Sequence, residues 1–291
     1  MSPTEPVRAR VINAADLEQL ALLLPRGYPN RSSDYFRTIF RRLTDHAAPS
    51  PFPKYGYLLE SGASAVGAIL VIYSSTVVGQ EMRVRGNFAY WYVEPQYRTF
   101  AALLPKLAFA HKDVTFLNLS SGRHTRPILE AHGYRRYISG EFVCIPAVSA
   151  KTMGARVSRI AEDDVSPEGL TPFEVQLCKD HVSFGCIAVR CSAAGETQPF
   201  VFQRLRRPGR IPVPYARLVY CRELEAFLRF VGPVGRFLAL RGIPLVSIDS
   251  NGPLTGLLGK YSVAKTPKYF KGPNPPRLGD FAYTERVMFD N

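Results

Sequence analysis

Glu94 ends the aromatic run Phe88-Ala-Tyr90-Trp91-Tyr92-Val93 and precedes Pro95, so a carboxylate stands where a strand gives way to a turn. A carboxylate there can serve as a base, directly or through a water; the competing reading is a solvated turn acid. Tyr90 and Tyr92 are two residues apart and share one strand face, where each either lines a substrate cleft or joins an aromatic core. Beyond Pro95 the chain predicts an apolar helix through Leu107. A loop that opens a helix directly after a strand presents unpaired N–H groups and the positive end of the helix dipole. That geometry suits a phosphate or pyrophosphate, although an ordinary buried strand–helix joint has the same pattern.

The elements around this stretch predict a mixed α/β fold. A strand over 7–12 precedes an amphipathic helix opened by Asn13-Ala-Ala-Asp16, and a second helix follows Ser32-Ser33-Asp34 with Tyr35, Phe36, Ile39, Phe40 and Leu43 on its apolar side. A hairpin spans 56–60 and 65–73; after the aromatic strand and its helix come a strand over 114–119, a short helix over 127–132 and a strand over 141–145. The second half predicts the same order: a hairpin at 185–190 and 200–205, a strand at 216–221, a helix from Glu223 to Arg241, a strand at 244–248, a short helix near 254–258 and a last strand at 283–289. Pro105 and Phe109 correspond to Pro233 and Phe237, which points to a diverged internal duplication. The expected units are 1–148 and 155–291, joined by the small residues of 147–154.

Composition narrows the functional classes. With 46% hydrophobic residues the 291-residue chain is globular, and its net charge of +13, spread over both halves, favours anionic partners. No apolar run is long enough to span a bilayer, and the first residues lack the apolar core of a signal peptide. Five cysteines without a CxxC predict buried, reduced thiols and a cytoplasmic protein. The five histidines (His46, His111, His124, His132, His181) form no HExxH, so no metal is expected, and Ser120-Ser121 lacks the glycines of a nucleophile elbow. Two basic segments, Arg204 to Arg210 and Lys260 to Lys271, are either solvated loops or contacts for phosphates and stacked bases.

Val93-Glu-Pro95-Gln-Tyr97-Arg98 resembles the Val-x-Pro-x-Tyr-Arg turn of the GNAT superfamily, the GCN5-related N-acyltransferases. Leu117-Asn118-Leu-Ser-Ser121 and Leu129-Glu-Ala-His-Gly133-Tyr134 resemble the family's later strand and helix end. The resemblance covers about residues 7–145, with a weaker echo in 156–289, so the expected fold is two GNAT-like units, each a twisted mixed sheet flanked by helices. It implies acyl-CoA, of the acetyl-CoA type, as co-substrate. The N–H of Val93 and those of Arg98, Thr99, Phe100, Ala101 and Ala102 would hold it, and Asn118 would orient a pantetheine amide or a water. Where the family carries the glycines of Arg-x-x-Gly-x-Gly/Ala, this chain has Ala101 and Leu103; the family's tyrosine acid falls on Leu129, and Asn251 alone echoes the site in the second half.

The expected activity is transfer of an acyl group from acyl-CoA to a small-molecule or peptidyl amine by direct attack, with Glu94, Tyr92 and Tyr90 as the catalytic candidates. Two alternatives stand beside it. One is a non-catalytic binding protein that kept the fold; the other is a transferase like the Fem type, which takes its acyl group from aminoacyl-tRNA and would use the basic surface.

Overall fold

The structure, a computed structural model, describes residues 5–123, 125–150, 152–165, 168–207 and 212–289. His124, Arg210 and the side chains of Ile128 and Arg207 lie outside the described residues. The fold is mixed α/β. The chain forms two compact units: the first is Met1–Arg135 with Lys268–Pro275 and Thr284–Phe289, the second Arg136–Pro267 with Pro276–Tyr283. Where the sequence suggests a single boundary near 148–155, the chain thus leaves the first unit at Arg135 and returns to it twice near its end.

The first unit opens with β1 (Val7–Val11), α1 (Leu17–Leu23) and α2 (Ser33–Asp45). Asn13 and Asp16 form the expected capping box, and the Ser32 hydroxyl accepts from the Tyr35 N–H at the start of α2. β2 (Gly56–Ser61), β3 (Ser64–Val78) and β4 (Glu81–Val93) follow as an antiparallel meander. After β4 comes a 3-10 turn (Pro95–Phe100), then α3 (Leu103–Ala108), and the crossover returns to β5 (Thr115–Asn118), parallel to β4. α4 (Arg126–Ala131) completes the run. One sheet face packs Val71, Tyr73, Phe88 and Phe116 against Leu104 and Ala108 of α3. On α2, Phe36, Ile39, Phe40 and Leu43 are all buried, each worth about 1.5–3 kcal/mol of apolar burial.

The second unit repeats this order with β7 (Arg156–Ile160), α5 (Pro172–Ser183), β8 (Ile187–Ala193), β9 (Glu196–Arg207), β10 (Val213–Cys221), α6 (Leu224–Ala239) and β11 (Leu245–Ser250). β10 and β11 are parallel, joined by α6, as β4 and β5 are joined by α3. Phe227, Phe230, Val234 and Leu238 of α6 bury against Phe200, Phe202, Leu218 and Val246. At Gly235 a side chain would strike the Pro146 carbonyl carbon at 2.5 Å, so glycine sets how closely α6 approaches the 146–150 segment. All five cysteines are buried and unpaired, and burial pushes the Cys178 and Cys186 thiols up to about 12.

Each unit takes its sixth strand from the other repeat. β6 (Arg135–Cys144), which follows β5 in the chain, pairs antiparallel with β11 of the second unit. β12 (Gly259–Lys271), which follows β11, ends at Tyr269–Lys271 against Asn118–Phe116 of β5 in the first unit. Residues 254–258 form turns instead of the expected helix, broken by Gly252-Pro253 and by Gly256 at φ +81°. The expected last strand over 283–289 is instead a reversal at Tyr283 (φ +55°) followed by α7 (Glu285–Met288). Among the described residues no helix is long and apolar enough to cross a membrane.

Candidate active site

β4 carries one residue too many for its partner. Ile69 of β3 pairs with Trp91 and Val71 with Phe88, so a bulge falls at Ala89-Tyr90. On its other side β4 pairs with β5 only from Arg85 to Asn87, opposite Thr115 to Leu117. Beyond Asn87 the two parallel strands part, leaving the Phe88–Val93 edge of β4 without a β5 partner at the carboxyl ends of the strands. In open α/β sheets that is where ligands bind. The Glu94 N–H reaches Val66 O on β3 at 2.9 Å, so alternation turns the Val93 N–H toward that edge. Trp91 exposes its N–H and C=O to the same edge, and the Tyr28 hydroxyl meets both: it accepts from the N–H and donates to the carbonyl, each at 3.0 Å. Burial pushes the Tyr28 phenol pKa up, which keeps that donor protonated.

The corresponding edge of the second unit is filled. There β10 also bulges, between Leu218 and Tyr220, and pairs with β11 only through Arg217. Past that point the chain's own 279–281 segment lies on β10: Cys221 N–H donates to Gly279 O at 2.9 Å and Phe281 N–H to Val219 O at 2.7 Å. The first wedge is covered by side chains, Tyr28 on the Trp91 backbone and Phe289 on Tyr90, whereas the second is closed by backbone.

No family model and no curated protein sequence matches this chain. Solved structures do. A GCN5-related N-acetyltransferase from Anabaena variabilis superposes with a TM-score of 0.58 at 9% identity over 91% of this chain and 72% of its own. A probable N-acyltransferase from Enterococcus faecalis gives 0.57 at 10% identity over 95% and 73%, and a GCN5-related N-acetyltransferase from Kribbella flavida 0.55 at 12% over 92% and 71%. The chain has the GNAT fold.

In this GNAT fold the residues singled out from the sequence gather around the first wedge, in differing states. Tyr90 and Tyr92 do share a face. Tyr90 packs edge-on against Tyr28 (4.8 Å between ring centroids) and Phe36 (5.0 Å), and its hydroxyl meets that of Tyr35 at 2.7 Å. The Tyr92 ring lies over Gly27, where any side chain would collide with it. Glu94 is half-buried with both oxygens engaged, one by Arg26 and the other by Gln96 Nε2 at 3.0 Å. Val93 is buried in the core while its N–H faces the wedge, and Asn118 is half-buried at the end of β5.

The 95–102 segment departs from the expected loop. It forms a 3-10 turn in which Ala101 N–H donates to Arg98 O at 3.1 Å, and α3 begins only at Leu103. Arg98, Thr99 and Ala102 are exposed, whereas Phe100, Ala101 and Leu103 pack onto the core. Leu103 therefore points inward. Leu129 belongs to the core, and Asn251 is spent on the 137–139 backbone, accepting from Ser139 N–H and donating to Tyr137 O, both at 2.8 Å.

The basic segment over 260–271 is the strand β12, not a loop. Lys260 and Lys265 are exposed, but Lys268, Tyr269 and Phe270 are buried, so those rings are not free to stack on bases. Arg204 and Arg206 are exposed on β9, while 208–211 lies outside the described residues. Among the described residues no group of three His, Cys, Asp or Glu could hold a metal.

Two residues at the wedge carried no signal in the sequence. Tyr28 sits in the 24–32 stretch between α1 and α2 and has no motif around it. Glu285 comes from the far end of the chain: its carboxyl is fully buried on α7, facing the Asn87 amide and the Ser120 hydroxyl, with no aligned hydrogen bond to either oxygen. Burial raises its pKa, opposed by Asn87, Arg286 and Ser120.

Proposed function

We propose that the first unit transfers an acyl group from acyl-CoA, of the acetyl-CoA type, to a small-molecule or peptidyl amine. The observation that carries this reading is the edge of β4 beyond Asn87, which β5 leaves unpaired, whereas the matching edge of the second unit is paired with the chain's own backbone. The amides of a pantetheine arm can pair with that edge as a short strand would, and the Val93 N–H is aimed where a thioester oxygen would gain charge in the transition state. Arg98, exposed at the end of the edge, supplies charge for the phosphates. The common element order supports an internal duplication in which the first unit kept the ligand edge.

Calorimetric titration with acetyl-CoA and with free CoA tests the donor. Saturable binding with a micromolar Kd, about −8 kcal/mol, is expected, and no heat at millimolar ligand overturns the reading. Tyr28→Phe adds a second arm. Because the Tyr28 hydroxyl occupies the Trp91 N–H and C=O that a pantetheine amide would use, removing it should tighten acetyl-CoA binding by about five- to tenfold, the worth of one to two modest hydrogen bonds. Weaker binding would mean that Tyr28 contacts the ligand.

The absence of a glycine loop between Arg98 and Ala102, and the use of the Ala101 N–H within its own turn, favour a second reading: a GNAT-fold binding protein without catalysis. That reading expects ligand binding with no thiol released from acetyl-CoA in the presence of amines.

A further inference from the structure

Three consecutive residues meet the end of β4 in reverse order. Arg26 pairs with Glu94, Gly27 leaves room for the Tyr92 ring, and the Tyr28 hydroxyl holds both backbone groups of Trp91. This strap leaves the 3-10 turn Leu24–Arg26, and its own N–H groups stay in that turn: Gly27 donates to Leu24 O at 3.0 Å and Tyr28 to Pro25 O at 3.1 Å. It thus holds β4 through side chains, which can swing away without breaking a strand pairing. The ion pair within it is lopsided. The Arg26 side chain is 62% exposed and that of Glu94 only 14%. So exposed a guanidinium gains little from its partner, a factor of about five at most in an equilibrium constant. The largely buried carboxylate, by contrast, needs a cation beside it. Its second oxygen already accepts from Gln96 Nε2 at 3.0 Å. A group that displaces Arg26 must therefore bring a positive charge and N–H donors of its own.

We propose that Arg26 holds the place of the acceptor: a primary alkylammonium takes over the Glu94 oxygen as the strap swings off β4. The inference deepens the acyl-transfer reading given above and rests on it, and it names the acceptor as an amine that arrives charged. Seated there, the ammonium lies against the carboxylate singled out as the base, next in the chain to Val93, whose N–H faces the wedge. Arg26 is then a specificity-determining residue. It excludes neutral and anionic groups from Glu94, which cannot replace its charge, and yields to a compact cation that can.

The test uses the full-length chain, with Trp91, the sole tryptophan, as a fluorescent reporter under the strap. Butylammonium chloride is titrated at constant ionic strength, balanced with sodium chloride. The wild type should give a saturable response. Arg26→Ala should saturate at a concentration about two- to fivefold lower, the worth of an exposed ion pair. Arg26→Lys, which keeps a cation on the strap, should return the midpoint toward the wild-type value. Glu94→Gln should lose the saturable response, and 1-butanol, of the same shape without the charge, should give none with any of the proteins. An Arg26→Ala midpoint equal to the wild-type one, no saturable response in Arg26→Ala, or an undiminished response in Glu94→Gln each overturns the proposal.

Calorimetry with acetyl-CoA on the same proteins keeps the two readings apart. If acetyl-CoA binds and the ammonium titrations fail, the place-holding role of Arg26 falls and the donor reading stands. If acetyl-CoA does not bind, the donor reading falls and takes the acceptor role of Glu94 with it, whatever the ammonium does.

Discussion

Replacing Arg222 with leucine is expected to remove about 3 kcal/mol of stability from the second unit. The Glu174 side chain is only 4% exposed, and Arg222 grips both of its oxygens, Nε to Oε1 at 2.5 Å and Nη2 to Oε2 at 2.6 Å. The same guanidinium donates to Thr197 O at 2.9 Å and Gly169 O at 3.0 Å, tying β9 to the start of α5. Without it, a buried carboxylate keeps only Thr171, whose N–H and hydroxyl reach Oε2 at 2.9 and 3.1 Å. Arg222 is itself about a third exposed, which sets the expectation at the low end for a broken buried pair.

The effect should depend on pH with a definite sign. Burial alone would raise the Glu174 pKa, but Arg222 and Thr171 outweigh it and hold the carboxyl below the ordinary range. A lowered folded-state pKa contributes stability above the unfolded value of about 4.3 and loses it as pH falls through the folded value. The gap between wild type and Arg222→Leu should therefore narrow on acidification. Urea unfolding at neutral and acid pH, with hydrogen exchange to localise the loss to β8–β10, measures it; a gap unchanged at acid pH would show that the ion pair is not its source.

Ending the chain after Tyr283 should have the larger effect and act on the first unit. The lost residues include Val287, Met288 and Phe289, exposed by only 1%, 0% and 3%. At about 1.5–3 kcal/mol for each buried side chain, their loss amounts to roughly 5–9 kcal/mol, comparable with the whole stability of a domain. Phe289 also stacks on Tyr90 at 6.2 Å, and Arg42 donates to the Met288 carbonyl, so the truncation uncovers α2 and the bulge of β4 together. Trp91, the sole tryptophan, lies beside that bulge and reports on it: the truncated protein should melt earlier by fluorescence and should not bind acetyl-CoA. A truncated chain with unchanged melting would mean that the C-terminal segment is an appendage.

Local chemistry made much of this structure legible. Ser32 as a helix cap, the 3.6-residue spacing of Phe36, Ile39, Phe40 and Leu43, and the alternation of Tyr90 and Tyr92 each act within a few residues, and each stands in the structure where it was expected. Thr171-Pro-Phe-Glu174 carries the same kind of capping signal for α5. What lay beyond reach was set by partners distant in the chain. β12 mixes lysines with small and aromatic residues and a proline, with no two-residue period, and its last residues pair with β5, while Phe289, from far along the chain, stacks on Tyr90. The turn after β4 departs from the expected loop for another reason. Without glycine at positions 101 and 103, Phe100, Ala101 and Leu103 turn into the core, and the backbone tightens into a 3-10 turn.

The exchange of the sixth strands also dictates an order of assembly. Translation delivers β1 to β5 first, but β5 must wait for Tyr269–Lys271 and β4 for the residues through Phe289. The second unit, by contrast, receives β6 before any of its other strands. On the ribosome the earlier-made half therefore stays unfinished, with a sheet edge and the wedge uncovered, until the residues through Phe289 have been made. A chain stopped before Thr284 would carry a nearly whole second unit and an incomplete first one, so the candidate catalytic surface is assembled only once the residues through Phe289 have been added.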